Sequence, residues 1–328
     1  MQGLEEHGYS TESIFLLGGK GKLHRLWNWL RTVTRACRII LSGDRQLILV
    51  RYAYYFLPVY LLPRRFQRNV RIEINGDAQA ELAANGHFLR RRIDKLAIHA
   101  VMTHGAGVHV VSRELAARYQ AMYPDARITF TSNFVCDEYY DPDRPPLTEG
   151  SIINVVFLGT TAQRWHGVDV FIEALATTSW FRDNCRLHII GECSPTIDQL
   201  VHDLAIDDIV IRHGFQTGDA KRALMRNMHI GVGGFALHLK GIAETTAIKT
   251  AEYLHAGLPV VVGYRDSALP DGLPFWLQMN LMDDTQPVET FRTFANRVRN
   301  DPELSRSAHV YAREHLRVKQ YVQSLVQY

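Results

Sequence analysis

The sequence predicts an α/β protein with parallel sheets, in two units joined near residues 137–150. Three observations carry this. Short apolar runs alternate with amphipathic stretches along nearly the whole chain. The clearest runs are apolar on both faces and several stop at a glycine, as strands buried inside a parallel sheet do. Between residues 137 and 149 (DEYYDPDRPPLTE) the alternation gives way to an acidic, proline-rich, aperiodic segment, the best candidate for a linker.

In the first unit, residues 15–17 (FLL) form a short apolar run. Residues 23–41 then place apolar side chains at helical spacing with basic residues between them. Residues 46–50 (QLILV) and 70–74 (VRIEI) read as strands, the second ending in the turn signal Asn75-Gly76-Asp77. A helix is predicted over 88–103 and a strand over 108–111. Ser112 suits the N-cap of a helix through Tyr119, and 127–130 supplies one more strand. In the second unit, 152–158 (IINVVFL) is a buried strand followed by Gly159 and a polar loop. A helix follows at 168–177, then a strand at 186–190 (RLHII) closed by Gly191. A strand at 208–212, a helix at 218–228 and a strand at 229–232 closed by Gly233-Gly234 come next. A helix at 246–256, a strand at 259–262 and helices at 287–299 and 302–326 finish the chain. Such crossovers are right-handed and cover a parallel sheet on both faces. Ligands of open α/β sheets bind outside the carboxyl ends of the strands. Two such sheets face to face would put the site in the cleft between units.

Composition narrows the class. The chain has 328 residues, 46% hydrophobic and 22% charged, which excludes disordered, collagenous and low-complexity proteins. Cys37, Cys136, Cys185 and Cys193 are widely spaced with no C-x-x-C, so reduced thiols are expected rather than a disulfide framework or structural zinc. None of the 15 histidines has a trustworthy metal-ligand spacing, and no metal is expected. The net charge of +3 hides an asymmetry. Residues 1–127 hold 19 Lys/Arg against 10 Asp/Glu (+9), and the remainder holds 18 against 24 (−6). Nucleic acid, an anionic membrane and a phosphorylated substrate all fit a basic face. The most apolar run, 52–63 (YAYYFLPVYLLP), is too short to span a bilayer, carries two prolines and lies between arginines. The first residues lack a signal-peptide pattern, and a cytoplasmic protein is expected.

The chemistry concentrates in residues 233–263 (GGFALHLKGIAETTAIKTAEYLHAGLPVVVG). Glu244 and Glu252 are eight apart, and Thr245 or Thr246 can cap a helix running to Ala256, with Gly257 as its left-handed C-terminal residue. Glu244 then lies at the helix N-terminus and Glu252 about two turns in. The amides of Thr246, Ala247 and Ile248 lack intrahelical partners and, with the helix dipole, make an anion site. Lys249 in the first turn opposes the dipole, which makes sense if an anion binds beside it.

Glu244 to Glu252, followed by His255-Ala256-Gly257-Leu258-Pro259-Val260, resembles the E-x7-E signature and the A-x-G-x-P-V tail of family 4 retaining glycosyltransferases. Residues 155–175 (VVFLGTTAQRWHGVDVFIEAL) are similar to that family's first C-terminal-domain strand, phosphate loop and following helix. Residues 187–192 (LHIIGE) and 211–215 (IRHGF) resemble its next two strand ends. The resemblance is good over about 150–310 and weaker over 70–135. It implies the GT-B fold, two facing Rossmann-like domains. The domains expected are 1–145 on the acceptor side and 150–310 on the nucleotide-sugar side, with 311–328 as a helix returning toward the first. Residues 1–9 read like the helix that follows the family's opening strand and glycine-rich loop, so the N-terminal domain is expected to lack its first strand.

By the resemblance, Glu244 contacts donor-sugar hydroxyls, Glu252 accepts from the nucleotide ribose, and the pyrophosphate lies on the amides of 246–248. Gly159, His213 and Gly214 line the same pocket. The family's phosphate-loop lysine is replaced by His166 and its arginine position falls near Thr160, and Arg164 or Lys249 can replace the missing charge. No cofactor or metal is implied, the nucleotide-sugar being a substrate. Glu73, Asn75 and Asp77 end a strand on the acceptor side, although turn chemistry alone also explains Asn-Gly-Asp. The glycine-rich stretch 18–22 lacks Walker spacing and reads as a flexible basic loop. Basic residues beside Trp27, Trp29 and Leu30, and Arg64, Arg65 and Arg68 after the apolar run, suit an anionic membrane surface or a solvated helix face. No nucleic-acid module is present. The expected activity is transfer of a sugar from a nucleotide-sugar to a glycan or lipid-linked hydroxyl, with retention, at the inner face of the plasma membrane. A nucleotide-sugar epimerase and a non-catalytic nucleotide-sugar-binding or partner subunit are the alternatives.

Overall fold

The structure is a computed structural model that describes residues 13–14, 21–45, 47–84, 86–105, 107–135, 147–148, 150–282, 285–317 and 321. The features expected at residues 1–9, 15–17 and 18–20, and most of the linker at 137–149, lie outside these residues. The chain divides into two compact units, 1–132 with 318–328, and 133–317.

Unit one begins with helix α1 (Lys22–Ser42). It continues through β1 (Ile48–Arg51), α2 (Leu57–Tyr60), β2 (Val70–Ile74), α3 (Ala78–Ala84) and α4 (Phe88–His104). β3 (Gly107–Val110), α5 (Arg113–Met122) and β4 (Ile128–Phe130) complete it. The strands form one parallel sheet in the order β1-β2-β3-β4. Ser112 caps α5, its hydroxyl accepting from the Leu115 amide at 3.2 Å. Ile72, Val101, Val110 and Leu115 are buried in the core. Asp94 is buried with them, and its carboxylate is matched by the Tyr52 hydroxyl at 2.6 Å and by the Gln79 amide.

Unit two holds six parallel strands in the order β12-β10-β8-β5-β6-β7. They are β5 (Ile153–Leu158), β6 (Cys185–Ile190), β7 (Val210–Gly214), β8 (Ile230–Val232), β10 (Val260–Val262) and β12 (Trp276–Gln278). A separate parallel pair joins β9 (Glu244–Thr245) to β11 (Arg265–Asp266). The helices are α6 (Val168–Phe171), α7 (Ser179–Asn184), α8 (Pro195–Asp203), α9 (Gly218–Arg226), α10 (Ile248–His255), α11 (Pro287–Asn300) and α12 (Glu303–His315). The helix predicted over 168–177 is an α turn that widens into a π turn at Ile172–Ala176. Helix α12 ends at His315 and Arg317 forms a bridge with Val135; of the rest of the helix predicted to 326, only the helical Tyr321 is among the described residues. Phe171 anchors one side of the core, edge-on to Phe181 at 5.9 Å and to Phe291 at 6.0 Å.

Tyr253 ties α10 to the sheet. Its ring is fully buried over Gly231, where a Cβ would lie 2.3 Å from the ring. Its hydroxyl accepts from the Leu158 amide at 2.7 Å and donates to the Val232 carbonyl at 3.0 Å. One side chain therefore bridges the carboxyl ends of β5 and β8. Tyr253→Phe leaves the Leu158 N–H buried without an acceptor, and unit two is expected to lose about 1–3 kcal/mol. Urea unfolding followed by far-UV circular dichroism measures this, and an unchanged midpoint and slope would contradict the bridging role.

Candidate functional site

In unit two the chain runs from β5 to β6 and β7 on one side, then crosses to β8 and β10 on the other. The strand order thus reverses at β5 and β8, and the loops leaving their carboxyl ends define the crevice where such sheets bind ligands. Of the residues singled out around 159–166 and 244–252, Gly159, His166 and Lys249 meet at this point.

The floor is backbone. Gly159 has φ +123°, and a Cβ there would come 3.6 Å from the Lys249 Nζ. A Cβ on Gly191 would lie 2.1 Å from the Gly159 carbonyl oxygen, so only glycine lets these two strand ends close up. The Gly159 amide donates to Ile190 at 3.0 Å and the Gly191 amide to Gly214 at 2.8 Å. Gly214 thus serves the strand-end ladder. His213 is tied into the sheet surface, its Nε2 2.9 Å from His188 Nδ1, and His188 Nε2 lies 3.2 Å from Asn154 Oδ1. Asn154 gives its amide to the Asn227 carbonyl, which turns its Oδ1 toward His188. Protons therefore sit on His188 Nε2 and His213 Nε2.

The loop after β5 carries Arg164 and His166 on a 3₁₀ turn. Arg164 is exposed. His166 is half-buried, with Nδ1 2.7 Å from the Thr160 carbonyl. A carbonyl only accepts, so Nδ1 carries the hydrogen and Nε2 keeps its lone pair. Burial and the neighbouring Lys249 hold its pKa down to about 4. The backbone of this loop packs on the loop after β8, the Phe235 amide donating to the His166 carbonyl at 3.0 Å.

Helix α10 begins differently from its sequence expectation. Its N-cap is Ala247, with no side-chain cap. The Thr246 hydroxyl instead accepts from the Asn133 amide at 3.2 Å, and the Thr246 carbonyl from the Asn133 side chain at 2.6 Å. The Ala247 amide donates to the buried Asp266 carboxylate, which also accepts from the Ala268 amide at 2.9 Å. Of the three amides expected to receive an anion, Ala247 is thus already engaged. The Ile248 amide, and the next one along at Lys249, have no acceptor among the described residues. Burial, eased by those two amide bonds, pushes the Asp266 pKa up to about 7.

Lys249 is the least satisfied group in the site. Its Nζ is buried with no hydrogen-bond partner and sits 3.9 Å from the centroid of the Phe157 ring on β5. Burial lowers its pKa from 10.5 to about 7, while the Glu252 carboxylate pulls it back up. Glu252 is half-buried and paired with Lys221 of α9 at 2.8 Å. Glu244 lies on β9, not in an irregular loop, and takes a hydrogen bond from the Ser267 hydroxyl beyond β11. In unit one, Asp77 caps α3 through the Ala80 amide at 3.1 Å and pairs with Arg118 at 2.6 Å, as turn chemistry predicts. Glu73 accepts from the Tyr321 hydroxyl. Asn75 Oδ1 is buried without a partner. Among the described residues no three His, Cys, Asp or Glu side chains gather as a metal site.

Sequence reasoning missed Phe157 as the ring under Lys249, Lys221 as the partner of Glu252, and Ser267 and Asp266 around β9. The apolar signal of 152–158 was present for Phe157. The other three lie 19 to 31 residues from Glu252, Glu244 and Ala247, the groups they meet, and carry no local signal.

Residues 153–273 match the model of a family described as Glycosyl transferases group 1. No curated protein matches the chain. Among solved structures, sucrose-phosphate synthase from Thermosynechococcus elongatus is similar with a TM-score of 0.68 at 13% identity, over 92% of this chain and 77% of that one. HepE of Anabaena in complex with UDP and glucose is similar with a TM-score of 0.63 at 15% identity, over 99% and 87%. WaaG, a glycosyltransferase involved in lipopolysaccharide biosynthesis, is similar with a TM-score of 0.61 at 14% identity, over 90% and 95%. At such identities the likeness establishes the fold. The chain is a GT-B protein, α/β with parallel sheets, and its second unit carries the glycosyl transferases group 1 match.

Lys249 makes the unliganded protein less stable than it could be. Its folded pKa lies below its unfolded one, so the unfolded chain binds the extra proton between pH 7 and 10.5 and stability rises across that window. Lys249→Met is expected to raise the melting temperature at pH 6 by a few degrees, with the gain shrinking toward pH 10. Denaturation at the two pH values checks this, and a loss of stability at pH 6 would contradict it.

Proposed function

We propose that the chain is a retaining glycosyltransferase that moves a sugar from a nucleotide-sugar donor to a hydroxyl acceptor. The buried, unpartnered Lys249 amine beside the free Ile248 and Lys249 amides carries the case. A diphosphate on this spot satisfies all three donors at once, and returns to the amine the charge stabilisation that burial removes. Glu252, acceptor-only and already oriented by Lys221, takes the ribose hydroxyls. Glu244, steadied by Ser267, takes hydroxyls of the donor sugar. His166 offers its Nε2 lone pair to a hydroxyl of the donor, and Arg164 supplies exposed positive charge at the rim.

In this mechanism the bond from the anomeric carbon to the diphosphate breaks as the acceptor oxygen bonds to the same face. The acceptor proton passes to the departing phosphate oxygen. Lys249 and the α10 amides stabilise the charge that develops there, and no metal takes part. The acceptor is a glycan or lipid-linked sugar of cell-surface polysaccharide or glycolipid assembly, at the inner face of the plasma membrane. HepE with UDP and glucose, and WaaG in lipopolysaccharide biosynthesis, support that choice of donor and acceptor class. In unit one, Asn75, with its buried free Oδ1, is the acceptor-side residue; Glu73 and Asp77 hold the strand end in shape.

A thermal-shift panel of UDP- and GDP-sugars tests donor binding, because a ligand at 100 times its Kd adds about 2.7 kcal/mol of stability. Affinity for the stabilising sugar nucleotide is expected to weaken as pH rises through about 7, and Lys249→Met to abolish both the binding and the pH dependence. Glu244→Gln is expected to cut transfer at least 100-fold with the melting temperature retained. No shift with any sugar nucleotide, or wild-type turnover in Glu244→Gln, would refute the assignment. Conversion of donor without acceptor would point to an epimerase.

A further inference from the structure

Helix α1 has three faces rather than two. One packs on unit one: Thr32, Val33 and Ile40 are buried, and the Trp29 indole donates to the Tyr55 carbonyl at 2.8 Å. A second carries Leu23, Leu26, Trp27 and Leu30 at helical spacing, and these are 84%, 51%, 65% and 45% exposed. The third carries Arg31, Arg35 and Arg38, all exposed, about a quarter turn from the apolar stripe. Beside α1, the α2 segment leaves Tyr55 and Leu61 exposed, and Arg64, Arg65 and Arg68 follow in the open. From residue 15 to 72 the chain has 12 Lys/Arg and one acidic residue, Asp44.

We propose that this face of unit one docks on an anionic bilayer. Leu23, Leu26, Trp27 and Leu30 enter the boundary between headgroups and acyl chains, while Arg31, Arg35 and Arg38 meet lipid phosphates. Charge complementarity selects this occupant. Four large apolar side chains left in water favour an apolar medium, and the adjoining exposed cationic stripe favours an anionic one; an anionic lipid surface offers both in one plane. A second copy of the same face would bring arginine stripes of like charge together. No described helix is long and apolar enough to cross a membrane, so the contact is in plane.

The test is sedimentation of the full chain with phosphatidylcholine vesicles, with and without about 30% phosphatidylglycerol, at low and high salt. Binding is expected to the anionic vesicles alone and to fall with salt. Leu26→Gln/Trp27→Gln and Arg31→Gln/Arg35→Gln/Arg38→Gln are each expected to weaken it at least tenfold, with melting curves and sugar-nucleotide shifts unchanged. In the otherwise wild-type protein, bromolipid quenching of tryptophan fluorescence is expected and should be largely removed by Trp27→Phe. Equal binding to neutral vesicles, unaltered binding by both multiple variants, or no quenching of Trp27 would overturn the proposal. So would a dimer that the Leu26→Gln/Trp27→Gln change dissolves, without vesicle binding.

Discussion

The second unit is organised around a lysine amine kept from water without a partner. Placing an ammonium against an aromatic ring and backbone costs stability, and burial registers that cost by dropping the Lys249 pKa to about 7. The amine can reach the end of β5 only because α10 is held against the sheet by Tyr253, which spans β5 and β8 and needs the bare backbone of Gly231. It can approach the loop only because Gly159 and Gly191 bring two strand ends within backbone contact. Sheet order, glycine placement and the tyrosine bridge thus converge on one unsatisfied charge.

Three carboxylates lie on α10, β9 and β11, and each is assigned to a different donor. Glu252 takes Lys221, Glu244 takes Ser267, and Asp266 takes the Ala247 and Ala268 amides. Asp266 occupies part of the helix N-terminus that an outside anion would otherwise use. The Ile248 and Lys249 amides stay without an acceptor, and the Lys249 amine lies over Phe157 of β5. The internal carboxylate therefore restricts where an anion can settle rather than abolishing the site. Its own near-neutral pKa follows from the same burial that depresses Lys249, acting on a charge of opposite sign.

The charge asymmetry of the halves corresponds to distinct surfaces. In unit one much of the excess positive charge lies on α1 and after α2, next to exposed leucines and a tryptophan. In unit two the acidic residues include Glu252, which pairs with Lys221. A net charge of +3 conveys neither arrangement.

The sequence by itself determined the class of fold and the position of most strands. Strand 70–74 has the predicted bounds, and 152–158, 186–190 and 259–262 differ by a residue or so, because apolar runs ended by glycine are local signals. It also singled out the segments around Gly159 and Glu244–Glu252. Only the tertiary structure decided β9, β11 and β12, the short helices α7 and α8, and the true start of α10. Elements of two to nine residues persist through neighbours rather than through their own periodicity. The Thr246 hydroxyl was free to cap α10 until Asn133, 113 residues away, took it. The pairing of Glu252 with Lys221 and the charge state of Lys249 were likewise settled in three dimensions. Propensity depends on adjacent residues, whereas desolvation and hydrogen bonding depend on whichever groups the fold brings together.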